Sequence, residues 1–390
     1  MPSVLIFIFQ KARARIVKWP EATTRWHLRT SVLMLLATLF FTAAPSLYNT
    51  HESHWKEYEA KYRAPLTPIV HSTEGGDEHT AKLDLRLTVP LLANVLGFGK
   101  HGTYLLLALC ALLVCWIAPA MFLSATGGQR SLAFWLSLTV SGGHLFSLFF
   151  RPLTGYFDGV ALTLVLCCFA VRQPLIQFFF AVLALFADER AVFGLALAPV
   201  FQAVTSSPSA KVGFSRLVWA SWPYASAGLV WLGLRLLATR EFGLQAPLGG
   251  VGLGIAAGNY NLFPAAIWEV FQAGWGLVLG GLLLLFRRAP LATVGALLVL
   301  LAGLAGSALV LDLTRSATYI FPMIFIAALG FRGQEYRPWL LPAFMTCSLL
   351  ALLEPNLDII GPAKDAIFIW SKPIWITLPL DFWYFVIKGL

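Results

Sequence analysis

Charge is scarce in this chain. Only 12% of its 390 residues are Asp, Glu, Lys or Arg, where soluble domains carry about 25%. The deficit runs the whole length, which excludes a soluble domain held by one anchor. Cysteine is also sparse. Cys110, Cys115, Cys167, Cys168 and Cys347 all sit in apolar runs, where cysteine behaves as a small hydrophobe, and no disulfide frame or zinc spacing is visible. There is no P-loop, dinucleotide-binding glycine fingerprint, HExxH or GxSxG, so nucleotide-driven chemistry has no support. No fixed-period repeat, inverted repeat, low-complexity tract or linker divides the chain. Residues 1–390 are expected to form a single integral membrane domain.

Apolar sequence is abundant: 58% of residues are hydrophobic and the mean hydropathy is +0.75. Windows at Thr30–Asn49, Gly102–Ala125, Leu132–Phe150, Leu217–Ala238, Ala265–Phe286 and Leu291–Leu311 match the roughly 20 apolar residues that a spanning helix needs. Ala317–Phe331, Trp339–Leu353, Gly159–Val171, Pro174–Ala187 and Ala191–Val204 are shorter. Such helices are tilted, re-entrant or packed inside the bundle, or are ordinary spans with longer flanks. The expected fold is an all-α polytopic bundle of about 10–12 transmembrane helices, with interfacial helices in the first extracytoplasmic loop. Phe41–Ser46 resembles a cleavage site, but Pro45 and the long charged leader favour an uncleaved first span.

A net charge of +9 could indicate nucleic acid, but its placement argues against that partner. Lys11, Arg13, Arg15, Lys18, Arg25 and Arg29 precede the first span. Arg130, Arg172, Lys211, Arg216, Arg287, Arg288, Arg332 and Arg337 recur at alternate loops. This positive-inside pattern makes residues 1–29 a basic cytoplasmic lead of a multi-pass cell-membrane protein. Its basic flanks meet anionic membrane lipid. The long loop 50–101, with 151–158, 188–190, 239–264 and 312–316, then lies on the extracytoplasmic face. The aromatic stretch Pro355–Leu390 is interfacial or a further span.

Charged groups at helix ends inside such a bundle point to function, and four clusters fall on that one face. The first contains Asp77, Glu78, His79, Lys82, Asp84 and Arg86. On a helix, His79, Lys82 and Arg86 share an arc of roughly 60°. The two leading carboxylates suit a general base beside cations that hold a leaving phosphate. An amphipathic helix on lipid headgroups is the plainer alternative. The second cluster is Arg151 with Asp158, a ligand contact or a clasp closing a helical hairpin; nearby His144 reads as packed or capped. The third, Asp188-Glu189-Arg190, is a hairpin tip or a water-filled vestibule. The fourth is Asp312, Thr314, Arg315 and Ser316, an anion site or a snorkelling arginine with its cap. Glu269, Arg240-Glu241 and Asn259-Tyr260-Asn261 are weaker candidates.

This layout resembles the GT-C class of integral membrane glycosyltransferases. Those enzymes have many spans, an acidic residue in a long first extracytoplasmic loop, and short helices around a membrane-level cavity. The resemblance implies a polyprenyl-phosphate-linked sugar as donor and Asp77 or Glu78 as general base. Lys82, Arg86 and Arg315 would engage the lipid phosphate. Residue-level likeness is confined to the first loop, and the acidic pair lies well beyond the first span, with Asp84 as a rival. No motif assigns a cofactor, and Asp77, Glu78 and His79 could ligate a divalent metal, which their spacing alone does not establish. The alternative function is a multi-pass transporter or flippase of a lipid-linked or anionic small molecule, and a third is a non-catalytic scaffold. Neither the sequence nor its spacing identifies a protein partner.

Overall fold

The computed structural model describes residues 25–45, 55–68, 82–150, 157–206, 212–244, 252–334, 340–360, 367–370 and 373–382. Almost every described element is a helix. The first described helix, α1 (Trp26–Ala37), continues into a π-helical turn, Thr38–Thr42. The first loop carries two short helices, α2 (Trp55–Arg63) and α3 (Thr88–Leu96), separated in part by a 3-10 turn at Lys82–Leu85. Then come α4 (Lys100–Ala125), α5 (Arg130–Gly142), a 3-10 stretch His144–Phe149, α6 (Asp158–Ala170), α7 (Pro174–Ala187), α8 (Ala191–Thr205) and α9 (Phe214–Phe242). The remainder is α10 (Leu253–Asn259), α11 (Phe263–Phe271), α12 (Trp275–Phe286), α13 (Pro290–Ala308), α14 (Leu313–Thr318), α15 (Met323–Gly330), α16 (Leu340–Leu353) and α17 (Ile374–Phe382). Between α16 and α17 an antiparallel hairpin pairs β1 (Leu357–Ile360) with β2 (Ile367–Trp370), Leu357 opposite Trp370.

Among the described residues, three helical stretches are long and apolar enough to cross a membrane: Lys100–Ala125, Phe263–Phe286 and Pro290–Ala308. Five more apolar helices, at Trp26–Thr42, Asp158–Ala170, Pro174–Ala187, Ala191–Thr205 and Leu340–Leu353, have 10–17 residues. Two of the expected spans are broken by identifiable features. In the first, Ala317–Phe331, Pro322 has no N–H to donate to the turn before it; α14 stops at Thr318 and α15 begins at Met323. In the second, Gln272 adopts a left-handed φ of 48° and divides α11 from α12.

Two segments form the centre. Residues 131–150 and 313–331 are buried without exception, as helices apolar on all sides must be. Their neighbours approach closely through small residues, the usual device where lipid offers no hydrophobic drive. A Cβ on Gly330 would sit 1.9 Å from the Gly281 carbonyl oxygen, so α12 and α15 touch backbone to backbone. A Cβ on Gly142 would likewise meet the Ala351 carbonyl oxygen at 2.4 Å where α5 crosses α16. The outer helices keep large apolar side chains exposed, among them Val95, Leu229, Leu236 and Leu301, in keeping with a membrane protein whose solvent is lipid.

The chain direction sorts the charges. Helices α6 and α8 begin, and α7 and α13 end, at one end of the bundle. That end holds Asp158, Asp188, Glu189, Arg190, Asp312 and Arg315. At the opposite end lie Arg172, Arg216, Arg287, Arg288 and Arg332. Arg288 donates to the Arg332 carbonyl there.

Candidate functional site

The first end of the bundle holds a continuous ionic network drawn from four distant segments. Its hub is Asp158, the first residue of α6. Its Oδ2 accepts from Arg315 Nη2 at 2.5 Å and Nε at 3.2 Å. Its Oδ1 accepts from Arg190 Nη2 at 2.7 Å and the Tyr319 hydroxyl at 3.0 Å. Asp188 accepts from the Arg190 backbone N–H at 2.9 Å and from Arg190 Nε at 2.8 Å. Its other oxygen lies 2.8 Å from Arg86 Nη1. Arg86 then forks onto Glu189, with Nη2 at 2.9 Å and Nε at 3.3 Å. Arg190 also donates to Ser316 Oγ at 2.9 Å and lies over the Tyr319 ring. Arg315 is held on its other side by Asp312 at 2.9 Å.

The local sequence explains how these groups meet. Ala187 ends α7 and Ala191 begins α8, so Asp188-Glu189-Arg190 forms the whole connection and its charges fold back onto neighbouring helix ends. The α14 segment adjoins this connection, and Tyr319, just past its end, lies four residues after Arg315 and three after Ser316, so each of the two can share its face. Asp158, Asp188, Arg86, Arg315 and Tyr319 are buried, whereas the Glu189 side chain is 40% exposed. A buried charge is tolerated only when paired and hydrogen-bonded. Three guanidinium groups facing four carboxylates meet that condition.

Electrostatics follow from this packing. Burial pushes the Glu189 carboxyl up, but Arg86 and its hydrogen bonds prevail and hold it down at about 2. Burial also works against the Arg86 charge, and Asp188 with Glu189 outweighs it, raising Arg86 above its ordinary value. Glu189 is therefore a poor general base, since a useful one titrates near the working pH. The network holds four carboxylates on three guanidinium groups. Arg86 and Arg190 present the forked donors that suit carboxylate or phosphate.

The structure brings together Arg86, Asp158, Asp188, Glu189, Arg190 and Arg315 from the sequence-predicted residues. Asp77, Glu78, His79 and Arg151 lie outside the described residues. The helical stripe expected for His79, Lys82 and Arg86 is corrected where it can be seen. Lys82 sits in a 3-10 turn that ends at Leu85, and Arg86 follows in a non-helical stretch with its side chain turned inward. The lipid-facing reading fails for Arg86, which is only 5% exposed. Leu83, Leu85 and Leu87 alternate with Asp84 and Arg86, a period of two that opposes a long helix.

The other candidates have structural roles. Asp84 is buried against Lys61 Nζ at 3.2 Å, and Lys61 also donates to the Thr67 carbonyl. Asn259 donates to the Ala308 and Val310 carbonyls and closes the end of α13. Thr314 accepts the Ile359 N–H, which ties the hairpin to α14. Arg240 and Glu241 form an exposed pair. His144 is fully buried, beside Ser147 and 3.7 Å from Asp358.

Sequence reasoning named Glu269 as a weaker candidate but missed the polar cluster around it at the break between α11 and α12. Glu269 accepts the Leu357 N–H at 3.0 Å and lies beside Gln272. Asn356 donates to the Gly142 carbonyl at 2.8 Å, and Trp268 donates to Glu354 at 2.6 Å. Glu269 and Gln272, three apart within an apolar window, were the available signal. Among the described residues no three His, Cys, Asp or Glu side chains are grouped to hold a metal ion. No family profile, curated protein or solved structure matches this chain.

Proposed function

We propose that the chain is a membrane glycosyltransferase that moves a sugar from a polyprenyl-phosphate donor to an acceptor at the network end of the bundle. The observation that carries this reading is the convergence of Arg86, Arg190 and Arg315 with Asp158, Asp188 and Glu189, from segments more than 200 residues apart. The three guanidinium groups already have internal carboxylate partners, so a donor phosphate enters by exchange. Glu189 is the partner that leaves most easily, because its side chain reaches solvent. Its departure frees the Arg86 fork for a phosphate oxygen. The acceptor hydroxyl then attacks the anomeric carbon as the bond from that carbon to the phosphate oxygen breaks. The acceptor proton passes to a carboxylate base, and prenyl phosphate leaves with the bond's electron pair. The GT-C resemblance assigns the base to Asp77 or Glu78, which fits the inertness of Glu189. Short helices support this arrangement: α6, α7 and α8 reach only about 20 Å at 1.5 Å per residue, so their charged ends lie below the rim of a bilayer.

We further place this end on the extracytoplasmic face of a cell membrane, with the N-terminus inside, because Arg172, Arg216, Arg287, Arg288 and Arg332 cluster at the other end. Cysteine labelling tests the sidedness. Glu241→Cys should react with an impermeant reagent from outside intact cells and Arg287→Cys only after permeabilisation; the reverse pattern would refute it. For the transfer itself, native mass spectrometry of the purified chain should find a bound isoprenoid phosphate. Asp77→Asn with Glu78→Gln should abolish transfer while retaining that ligand; transfer surviving both changes would exclude them as base.

A transporter or flippase is the second reading, favoured by one observation. A helix broken at Gln272 with Glu269 beside the break is the kind of element that lines transport sites. Under that reading, Glu269→Gln abolishes movement of a labelled lipid or anion across vesicles and leaves sugar transfer without a substrate.

A further inference from the structure

A cavity lies at the opposite end of the bundle, lined from α7, α8, α9 and the residue Arg172 before α7. Its volume is about 310 Å³, and Arg172, Gln202, Ser206, Arg216, Trp219 and Trp222 are among its lining residues. No carboxylate contributes to that lining. Among the described residues, neither Arg172 nor Arg216 has an acidic partner, whereas the network arginines are all matched.

The back wall is electrically quiet. The C-terminal carbonyls of α6 would present negative charge to the cavity, but two glutamine amides cover them. Gln202 Nε2 donates to Cys168, Phe169 and Val171 at 3.1–3.2 Å, and Gln177 Nε2 donates to Val171 at 2.6 Å. The two guanidinium groups therefore set the potential. Trp219 and Trp222 stand at the mouth on the first turns of α9, and Trp219 is 75% exposed. Paired arginine and tryptophan at a helix end mark the headgroup level of a bilayer.

We infer that this cavity binds the phosphate of an anionic phospholipid, with Arg172 and Arg216 as donors and Trp219 and Trp222 against the glycerol and upper acyl region. A phosphate group is the shared chemistry of a lipid headgroup and of free phosphate. The exposed Trp219 and partly exposed Trp222 select the lipid. The inference is independent of the proposed transferase, since none of its residues belongs to the network.

Thermal unfolding of the full chain in nanodiscs tests it. Phosphatidylglycerol mixed into phosphatidylcholine should raise the midpoint, and inorganic phosphate at equal phosphate concentration should not. Arg172→Gln and Arg216→Gln should each shift the phosphatidylglycerol dependence to about tenfold higher lipid, the loss expected for a hydrogen bond to a charged group. Arg287→Gln, a matched charge change outside the cavity, should leave it in place. Both cavity arginines are exposed, so the variants should fold; their midpoints in pure phosphatidylcholine verify this. Equal stabilisation by inorganic phosphate would overturn the lipid assignment. A dependence that Arg287→Gln weakens as much as the cavity variants, or no dependence at all, would overturn the site.

Discussion

The two ends of the bundle treat arginine in opposite ways. At one, Arg86 and Arg315 are about 95% out of contact with solvent and every guanidinium is matched to carboxylates. At the other, Arg172 and Arg216 are exposed and face no acid. The same side chain is thus an internal structural charge in one place and an open donor in the other. Burial makes the first kind costly to disturb and the second kind cheap. Function should follow the same division, with exchange of partners at the network and simple binding at the basic end.

The largest effect is expected at Asp158. Asp158→Ala leaves Arg190 and Arg315 buried without their shared carboxylate, a loss of about 3–5 kcal/mol, measurable as a lower unfolding midpoint in detergent. Gly330→Ala serves as a packing benchmark without a charge change. Its Cβ has no room against Gly281, and overpacking costs about 1–3 kcal/mol. If Asp158→Ala were the milder of the two, the network would not be the structural keystone of its end.

Glu189 sharpens the comparison because it is the network's open member. Glu189→Gln should change stability by no more than about 1 kcal/mol, as for exposed ion pairs, while leaving Arg86 freer for a phosphate ligand. The pH dependence has a definite sign. Its folded value is depressed to about 2 from an ordinary 4.5. The stabilising pairing with Arg86 is therefore complete above 4.5 and fades as pH falls toward 2. Unfolding midpoints of Glu189→Gln should fall less steeply through that window than those of the parent chain. The smallest effect belongs to Arg172→Gln in lipid without anionic headgroups, within about 0.5 kcal/mol of the parent.

Much of this was legible in the sequence. The apolar run Pro174–Ala187 is a helix with those ends, and the charged tripeptide after it forms a connection, because nothing else separates the two helices. One-sidedness of the charged clusters could be read from loop alternation alone. The partners could not. Asp158 has Arg151 seven residues away in sequence, yet its described partners come from positions 190, 315 and 319, which only tertiary packing brings near. Two further features escaped for physical reasons. The break at Gln272 has no proline to announce it and rests on polar contacts with the distant Asn356 region. The hairpin at Leu357–Trp370 occupies an aromatic stretch whose composition equally suits an interfacial helix. The long stripe through Lys82 and Arg86 followed the helical period, where the alternation of leucines was the better guide.

The proposed transfer requires Arg86 to trade an internal carboxylate for a lipid-borne phosphate. Native mass spectrometry of the parent chain, Glu189→Gln and Arg86→Gln, purified identically, examines this trade directly. An isoprenoid phosphate should accompany the first two and be lost from the third, provided all three unfold cooperatively. Its absence from the parent chain, or its undiminished presence on Arg86→Gln, would contradict the account.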